Sequence, residues 1–275
     1  YLLSELRDLV SILPENNNEI GGMEECMDDL NRLVPDFADE IKDPAIAFED
    51  LGDNNFFLEL KRDFAKEMVT GFISLDGMTV GCVANRTAVY GEDGSEQESF
   101  EARLTSDGCD KAASFIKTCD AFNIPILTLT NVEGFATTVE EEKTIASKAA
   151  ILTAAFAEAD VPKVNLITGN AYGSAYITMN SKHIGADMVF ALPDANIGMM
   201  DAQVAAKIMY ADDKDADISA KAAEFAAQSG TQAAAARGYV DSIIAPEAAR
   251  KQLIFAFELL FTKSEYPIGK KHGTI

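Results

Sequence analysis

Two apolar runs, Val69-Thr70-Gly71-Phe72-Ile73-Ser74-Leu75 and Met78-Thr79-Val80-Gly81-Cys82-Val83-Ala84, are separated only by Asp76-Gly77. An Asp-Gly pair tolerates the positive φ of a tight turn, so the segment predicts a β-hairpin. Neither run alternates strictly between apolar and polar residues, which places these strands under cover on both faces. From there, strand and helix patterns take turns. Asp110 to Phe122 reads as a helix, Ile124 to Thr130 as a buried strand and Glu140 to Glu158 as a long Ala-rich helix. A second buried strand follows at Lys163 to Thr168, and a helix is expected from near Gly173. Strands are expected at Met188–Ala191, Asn196–Met200 and near Val240–Ile244, the last within a mainly helical stretch from Ala202 to Phe261. A hairpin followed by alternating strands and helices indicates an α/β fold. Leu2 to Leu13 has helical spacing and stops at Pro14, and Phe56 to Met68 predicts another helix.

Charge restricts the partners. The chain of 275 residues carries a formal charge of −22, which argues against nucleic acid, since phosphate binding needs a basic face. Residues 11–60 hold 14 acidic and 2 basic residues, together with Asn16-Asn17-Asn18, Gly21-Gly22, Pro35 and Pro44, and so supply −12 of the total. This stretch reads as a solvated lead-in, either a surface arm or a segment that docks on a basic partner. Residues 1–50 are therefore expected to form an N-terminal helix and acidic connector, and residues 51–275 a folded domain. Cys26, Cys82, Cys109 and Cys119 have no metal-ligand spacing, and their scatter suits free thiols in a reducing cytoplasm, with no metal expected. There is no run of about 20 apolar residues and no signal-peptide pattern near Tyr1, so no membrane insertion is expected.

Side-chain chemistry is scarce. GxSxG, GxxxxGK[ST], GxGxxG and HExxH are all absent, and the two histidines, His183 and His272, are far apart in sequence. One segment still has a mechanistic shape. After the strand at Val164–Thr168 come Gly169-Asn170-Ala171-Tyr172-Gly173-Ser174-Ala175-Tyr176-Ile177. Small residues at a strand-to-helix turn let a ligand approach the backbone, where the first helical N–H groups lack partners. A pair of such groups can hold a developing oxyanion without any side-chain acid or base; the same residues can equally serve close packing. A second small-residue turn, Asn131-Val132-Glu133-Gly134-Phe135, follows the strand ending at Thr130, and the two turns could flank one crevice.

Taken together, the segments resemble the carboxyltransferase component of biotin-dependent acyl-CoA carboxylases and decarboxylases. The resemblance is carried by Phe56–Glu59, Gly81–Asn85, Asp110–Ile116, Cys119–Pro125, Phe156–Ala159, Val161–Val164, Ala171–Tyr176, Met179–His183, Gly185–Asp187, Ala235–Asp241 and Lys271–Gly273. They occur in the family's order and cover about residues 50–275. The resemblance implies a ClpP/crotonase-like fold, a repeated β-β-α superhelix with peripheral helices. It is to the C-terminal, biotin-side half alone, with Tyr1 to Asn18 similar to the helix and tail closing the preceding domain. The N-terminal half is then expected as a separate subunit or as a piece cut away.

The implied activity moves a carboxyl group between carboxybiotin and an acyl-CoA of the propionyl, methylmalonyl or acetyl type. Biotin would come on a separate biotin carboxyl carrier protein, the acyl-CoA would be the substrate, and the assembly would be a homo- or hetero-oligomer. The N–H groups of Ser174 and Ala175 match the family's hole for the biotin ureido oxygen, with Gly134, Phe135, Tyr172 and Gly173 around it. Ile177 matches a position that shapes the acyl pocket. Because biotin supplies the base, few histidines are needed. The family often has Asp-Val-Pro-Gly-Phe at 131–135 and Met-Gly-Ala-x-Gly-Ala at 200–205, and both motifs differ here, which bears on substrate and reaction direction. Two other readings stay open: a non-catalytic subunit of such a complex, or a free-standing crotonase-like hydratase or isomerase.

Overall fold

The computed structural model describes residues 2–16, 26–91, 93–213 and 216–263. Its framework is a mixed sheet of eight strands. β1 (Leu58–Leu60) pairs antiparallel with β2 (Met68–Leu75), and β2 pairs antiparallel with β3 (Met78–Asn85). The hairpin turn is the expected one, with Asp76 and Gly77 at φ 51° and 72°. Short pairs of β4 (Ala88–Tyr90) with β5 (Glu96–Ser99), and of β6 (Arg103–Leu104) with β8 (Gly134–Phe135), lie outside the main sheet. Beyond β3 every pairing is parallel: β7 (Ile126–Val132), β9 (Lys163–Tyr172), β10 (Met188–Ala191) and β12 (Ser242–Ile243) follow in that order. β11 (Asn196–Gly198) pairs with the last residues of β9.

The unbroken apolar runs follow from two-sided burial. Side chains alternate across a strand, so Met68, Phe72, Val83, Ile126 and Ile167 enter one core while Val69, Ile73, Val80, Leu127 and Leu166 enter the other. The first core is covered by α4 (Ser106–Ala121) and α6 (Ile145–Glu158), through residues such as Ile116, Leu152 and Phe156. The second core packs under α2 (Phe37–Glu40), α3 (Pro44–Leu51) and α11 (Ala249–Leu260). α1 (Leu2–Ile12) forms as predicted, as do α7 (Gly173–Thr178), α8 (Ala202–Met209), α9 (Ile218–Ser229) and α10 (Thr231–Ala236) in the helical last third. Capping explains several starts: Thr105 accepts from the Gly108 N–H before α4, and Asp201 accepts from Gln203 and Val204 before α8.

Three expectations change. Phe56 to Met68 is not a helix, because β1 pairs with the edge of β2 and the chain then turns through Lys61 and Ala65 at positive φ. The buried Lys111 ammonium holds that turn by donating to the carbonyls of Phe64 and Ala65, at 2.8 and 3.3 Å. The helix at 140–158 is two: α5 (Val139–Glu142), capped by Thr138, and α6, which restarts after Thr144. The acidic lead-in is not solvated throughout, since Val34, Phe37, Phe48 and Leu51 are fully buried in the second core.

A buried cation fastens that acidic stretch. Arg250 on α11 is fully buried, donates to the carbonyls of Leu51 and Asp29, and pairs with Asp53 at 2.5 Å and Asp28 at 3.3 Å. Asp53 also accepts from the Ser74 hydroxyl and from the N–H groups of Asp76 and Gly77, so one carboxylate joins helix, lead-in and hairpin turn. Breaking such a pair strands a buried charge, so Arg250→Met is expected to lower the unfolding free energy by about 3–5 kcal/mol in urea titrations. Glu40 reports on crowding of the acids. Burial, followed by the charges of Asp50, Asp36 and Glu49, pushes its carboxyl from 4.5 up to about 7. A raised carboxyl pKa contributes full stability below the unfolded value and loses it as pH rises through the folded one. Glu40→Gln is therefore expected to stabilise by about 1–2 kcal/mol at pH 8, a figure discounted for partial solvent screening, with the gain gone at pH 4.5.

Candidate functional site

The site is built where β9 becomes α7. Tyr172 is still extended (φ −115°, ψ 136°), and Gly173 turns the chain at φ +59°. That left-handed backbone suits glycine best, since a Cβ there adds strain. Space demands it too: a Cβ on Gly173 would lie 3.0 Å from the Met199 carbonyl oxygen, just past β11. The helix begins at once, so the N–H groups of Gly173, Ser174 and Ala175 fall in its first turn and have no intrahelical carbonyl one turn back to bond.

An amide network sets the ends of the neighbouring strands. The Asn131 N–H donates to Asn85 Oδ1 at 2.9 Å, and Asn85 Nδ2 returns a bond to the Asn131 carbonyl. Asn131 Oδ1 then accepts from the Asn170 N–H at 2.9 Å, beside a register shift between Thr130 and Val132. Gly169 is the residue that permits this approach, because a Cβ there would meet Asn131 Oδ1 at 2.5 Å. Asn170 in turn donates to Glu133 at 2.9 Å and accepts from the Tyr172 hydroxyl at 3.2 Å. At the far end of α7, Asn165 donates to the Met179 carbonyl at 3.2 Å.

A cleft of about 720 Å³ opens between α7 and the pair α8–α9. Its walls are mainly apolar, with Ile177, Ile197, Ile208, Met209 and Phe225 among them, and Met199 and Met209 stand well exposed at 82% and 70%. Gly173 and Ser174 border it, while His183, Arg237 and Tyr239 supply its polar margin. Tyr176 is buried and lines the same cleft, and among the described residues its hydroxyl has no hydrogen-bond partner. Burial pushes that phenol up to about 12, so it stays protonated and able to donate. The His183 ring lies edge-on to Tyr176 at 6.0 Å and 5.2 Å from Tyr239.

The expected site residues are thus divided. Gly173, Ser174 and Ile177 border the cleft, with Ala175 beside them but its side chain buried in the first core. Tyr172 caps the helix and turns its hydroxyl to Asn170. Gly134 and Phe135 lie on β8, paired with Arg103 and Leu104, with Phe135 packed against the first core. A Cβ on Gly134 would meet open space, so sterics do not require glycine there. Ala136, just past that turn, lines a separate polar pocket of about 400 Å³ with Glu67, Arg103 and Glu141. β8 packs against α7, so the two turns are neighbours, yet they do not line one cleft.

The sequence reading missed Met199, Met200, Phe225, Arg237 and Tyr239 on the cleft wall. Met200 begins the altered 200–205 motif and Arg237 and Tyr239 fall within Ala235–Asp241, but nothing local to those segments shows that they meet on one cleft wall. His272 lies outside the described residues. Among the described residues no group of three His, Cys, Asp or Glu could hold a metal, and no helix is long and apolar enough to cross a membrane. Replacing Gly173 with Ala forces a Cβ into left-handed backbone against the Met199 carbonyl, so Gly173→Ala is expected to cost about 1–2 kcal/mol in denaturant unfolding.

A family model described as the carboxyl transferase domain matches residues 2–275. The chain is 38% identical over 284 residues to the propionyl-CoA carboxylase beta chain of Roseobacter denitrificans, covering 99% of this chain and 54% of that protein. It is 37% identical over 288 residues to the methylmalonyl-CoA decarboxylase subunit alpha of Propionigenium modestum, again covering 99% and 54%. Among solved structures it matches transcarboxylase 12S, described as a hexamer assembly with methylmalonyl-coenzyme A and methylmalonic acid bound. That match has a TM-score of 0.85 and 33% identity, and covers 98% of this chain and 52% of the other. The chain spans about half the length of the curated relatives it matches, and its α/β sheet is of the expected crotonase type.

Proposed function

The chain belongs to the carboxyl transferase domain family, and from that premise we propose that it is the biotin-side half of an acyl-CoA carboxyltransferase. Its substrate on this reading is a propionyl- or methylmalonyl-type thioester. Its partners are an N-terminal carboxyltransferase half, a biotin carboxyl carrier protein and further copies in an oligomer. The observation that carries the reading is the Gly173 turn, which ends a strand and starts a helix at the edge of an apolar cleft. The free thiols of Cys26, Cys82, Cys109 and Cys119 suit a cytoplasmic setting.

The residues present fit biotin. Gly173 leaves a cradle that a Cβ would fill, and the cleft's apolar walls suit a fused ring with an alkyl arm. When bound, biotin supplies a ureido nitrogen that carries the carboxyl group and exchanges a proton with the acyl α-carbon. The chain's own part is binding and charge stabilisation. The N–H groups of Ser174 and Ala175 would hold the ureido oxygen and stabilise negative charge on it, and the helix N-terminus would add a favourable dipole. Backbone donors need no reorganisation, because the Asn131–Asn170 bond and Gly173 already fix the turn. Ile177 and its apolar neighbours exclude water, which strengthens those hydrogen bonds and protects a labile carboxyl group. Tyr172 sets the helix start through its bond to Asn170. Gly134 and Phe135 support α7 from β8.

The test is reconstitution of the chain with an N-terminal half, methylmalonyl-CoA and free biotin, with propionyl-CoA formation as the readout. Wild type is expected to turn over, and Gly173→Val to lose at least about 100-fold in kcat while circular dichroism stays native, the range seen when one oxyanion-hole donor is removed. A folded Gly173→Val with full activity contradicts the hole. A folded wild-type assembly that is inert favours the non-catalytic reading.

A further inference from the structure

We propose that Arg237 is the anion-binding residue of the α7–α8 cleft, and that the ligand seated there is a small apolar-bodied molecule bearing a carboxylate. The inference rests on reading this cleft as the carboxyl-transfer site and adds a charged group to it.

The argument starts from what the cleft excludes. Acidic residues outnumber basic ones 45 to 23 in the chain, yet among the described residues no Asp or Glu lines the cleft. Arg237 supplies its guanidinium. Most arginines here are paired: Arg32 with Asp28, Arg86 with Asp43, Arg103 with Glu101 and Arg250 with Asp53. Arg237 makes no ion pair among the described residues. Its Nη1 donates to the Gln228 carbonyl at 2.9 Å, which tethers the group to the end of α9 and leaves Nε and Nη2 to donate. A guanidinium presents its donors in a planar fork that matches the two oxygens of a carboxylate.

The surroundings sharpen the preference. Ile177, Ile208, Met209 and Phe225 make the adjoining walls apolar, so an anion there meets less solvent screening than on open surface. A net charge of −22 repels small anions from the molecule at large, so an anionic ligand needs a local cation to be held. Backbone geometry places the group: Gly238 at φ +79° turns the chain between Arg237 and Tyr239, and both residues reach the cleft. An apolar body with one carboxylate fits this combination better than a neutral ligand, which leaves the guanidinium unused, or a polyanion, which meets mostly hydrocarbon.

Hexanoate and its neutral isostere hexanamide are suitable probes, titrated calorimetrically into the full chain. Wild type is expected to bind hexanoate at least about fivefold more tightly than hexanamide. Arg237→Gln is expected to abolish that preference with hexanamide binding unchanged, while Arg237→Lys retains part of it. Arg237 is exposed, and unchanged unfolding midpoints check that the variants fold. Equal affinity of wild type and Arg237→Gln for hexanoate, or no saturable binding by wild type in the millimolar range, overturns the inference. The carboxyl-transfer assay separates the two claims. If Gly173→Val loses transfer while Arg237→Gln keeps both binding and transfer, the anion site falls and the carboxyltransferase reading stands. If hexanoate binding depends on Arg237 while folded Gly173→Val transfers normally, the anion site stands and the oxyanion hole falls.

Discussion

The left-handed backbone at Gly173 is the constraint on which the site depends. β9 cannot curve gradually into α7, because β11 pairs with its last residues and sets the Met199 carbonyl 3.0 Å from where a Cβ would be. One residue must therefore absorb the whole change of direction. The result is a helix whose unpaired first-turn N–H groups lie at the rim of an apolar cleft, and that is chemistry made from backbone. The amide chain from Asn85 through Asn131 to Asn170 holds the neighbouring strands in the register this turn needs. Gly169 has the same logic at smaller scale, since it lets the Asn131 amide reach the Asn170 N–H.

Much of the frame is legible in the sequence because its signals are local. Asp76-Gly77 specifies a hairpin turn, and runs such as Ile126–Leu129 and Val164–Ile167 are apolar on both faces because helices cover both. The failures come from tertiary pairing. Phe56–Met68 has helical spacing, but an open edge on β2 and the Lys111 ammonium under its turn draw it into a strand and loop. The acidic stretch looks solvated by composition, yet Phe37, Phe48 and Leu51 are spaced among the acids and dock on the sheet. The candidate site is legible only in part for a related reason. A hole made of N–H groups leaves small residues as its only trace, and its cleft wall is gathered from α7, α8, α9 and the loop after α10. The small residues at Gly173–Ser174–Ala175 allow an oxyanion hole or mere close packing, and the family resemblance is what ties the hole to a ureido oxygen.

Charge divides the molecule into regions with different work. The acidic lead-in is drawn onto the fold by Arg250 and Arg32, which donate to the carbonyls of Leu51, Asp29, Asp50 and Gly52 as well as to carboxylates. Backbone acceptors take part of the charge, so the region tolerates a carboxyl as crowded as Glu40. The cleft is the opposite case, with apolar walls, no carboxylate among the described lining residues and a guanidinium tethered at its margin. Such a surface holds an anionic, mostly hydrocarbon ligand and lets backbone N–H groups meet developing charge without competition from acids.

The most direct test of the central claim observes the backbone donors themselves. Amide resonances of Ser174 and Ala175, followed by ¹⁵N-edited NMR during titration with free biotin, should shift downfield together and saturate with one dissociation constant. The same titration with a biotin analogue lacking the ureido oxygen should leave both in place. Binding of biotin that shifts residues elsewhere but leaves the Ser174 and Ala175 amides unmoved contradicts the account.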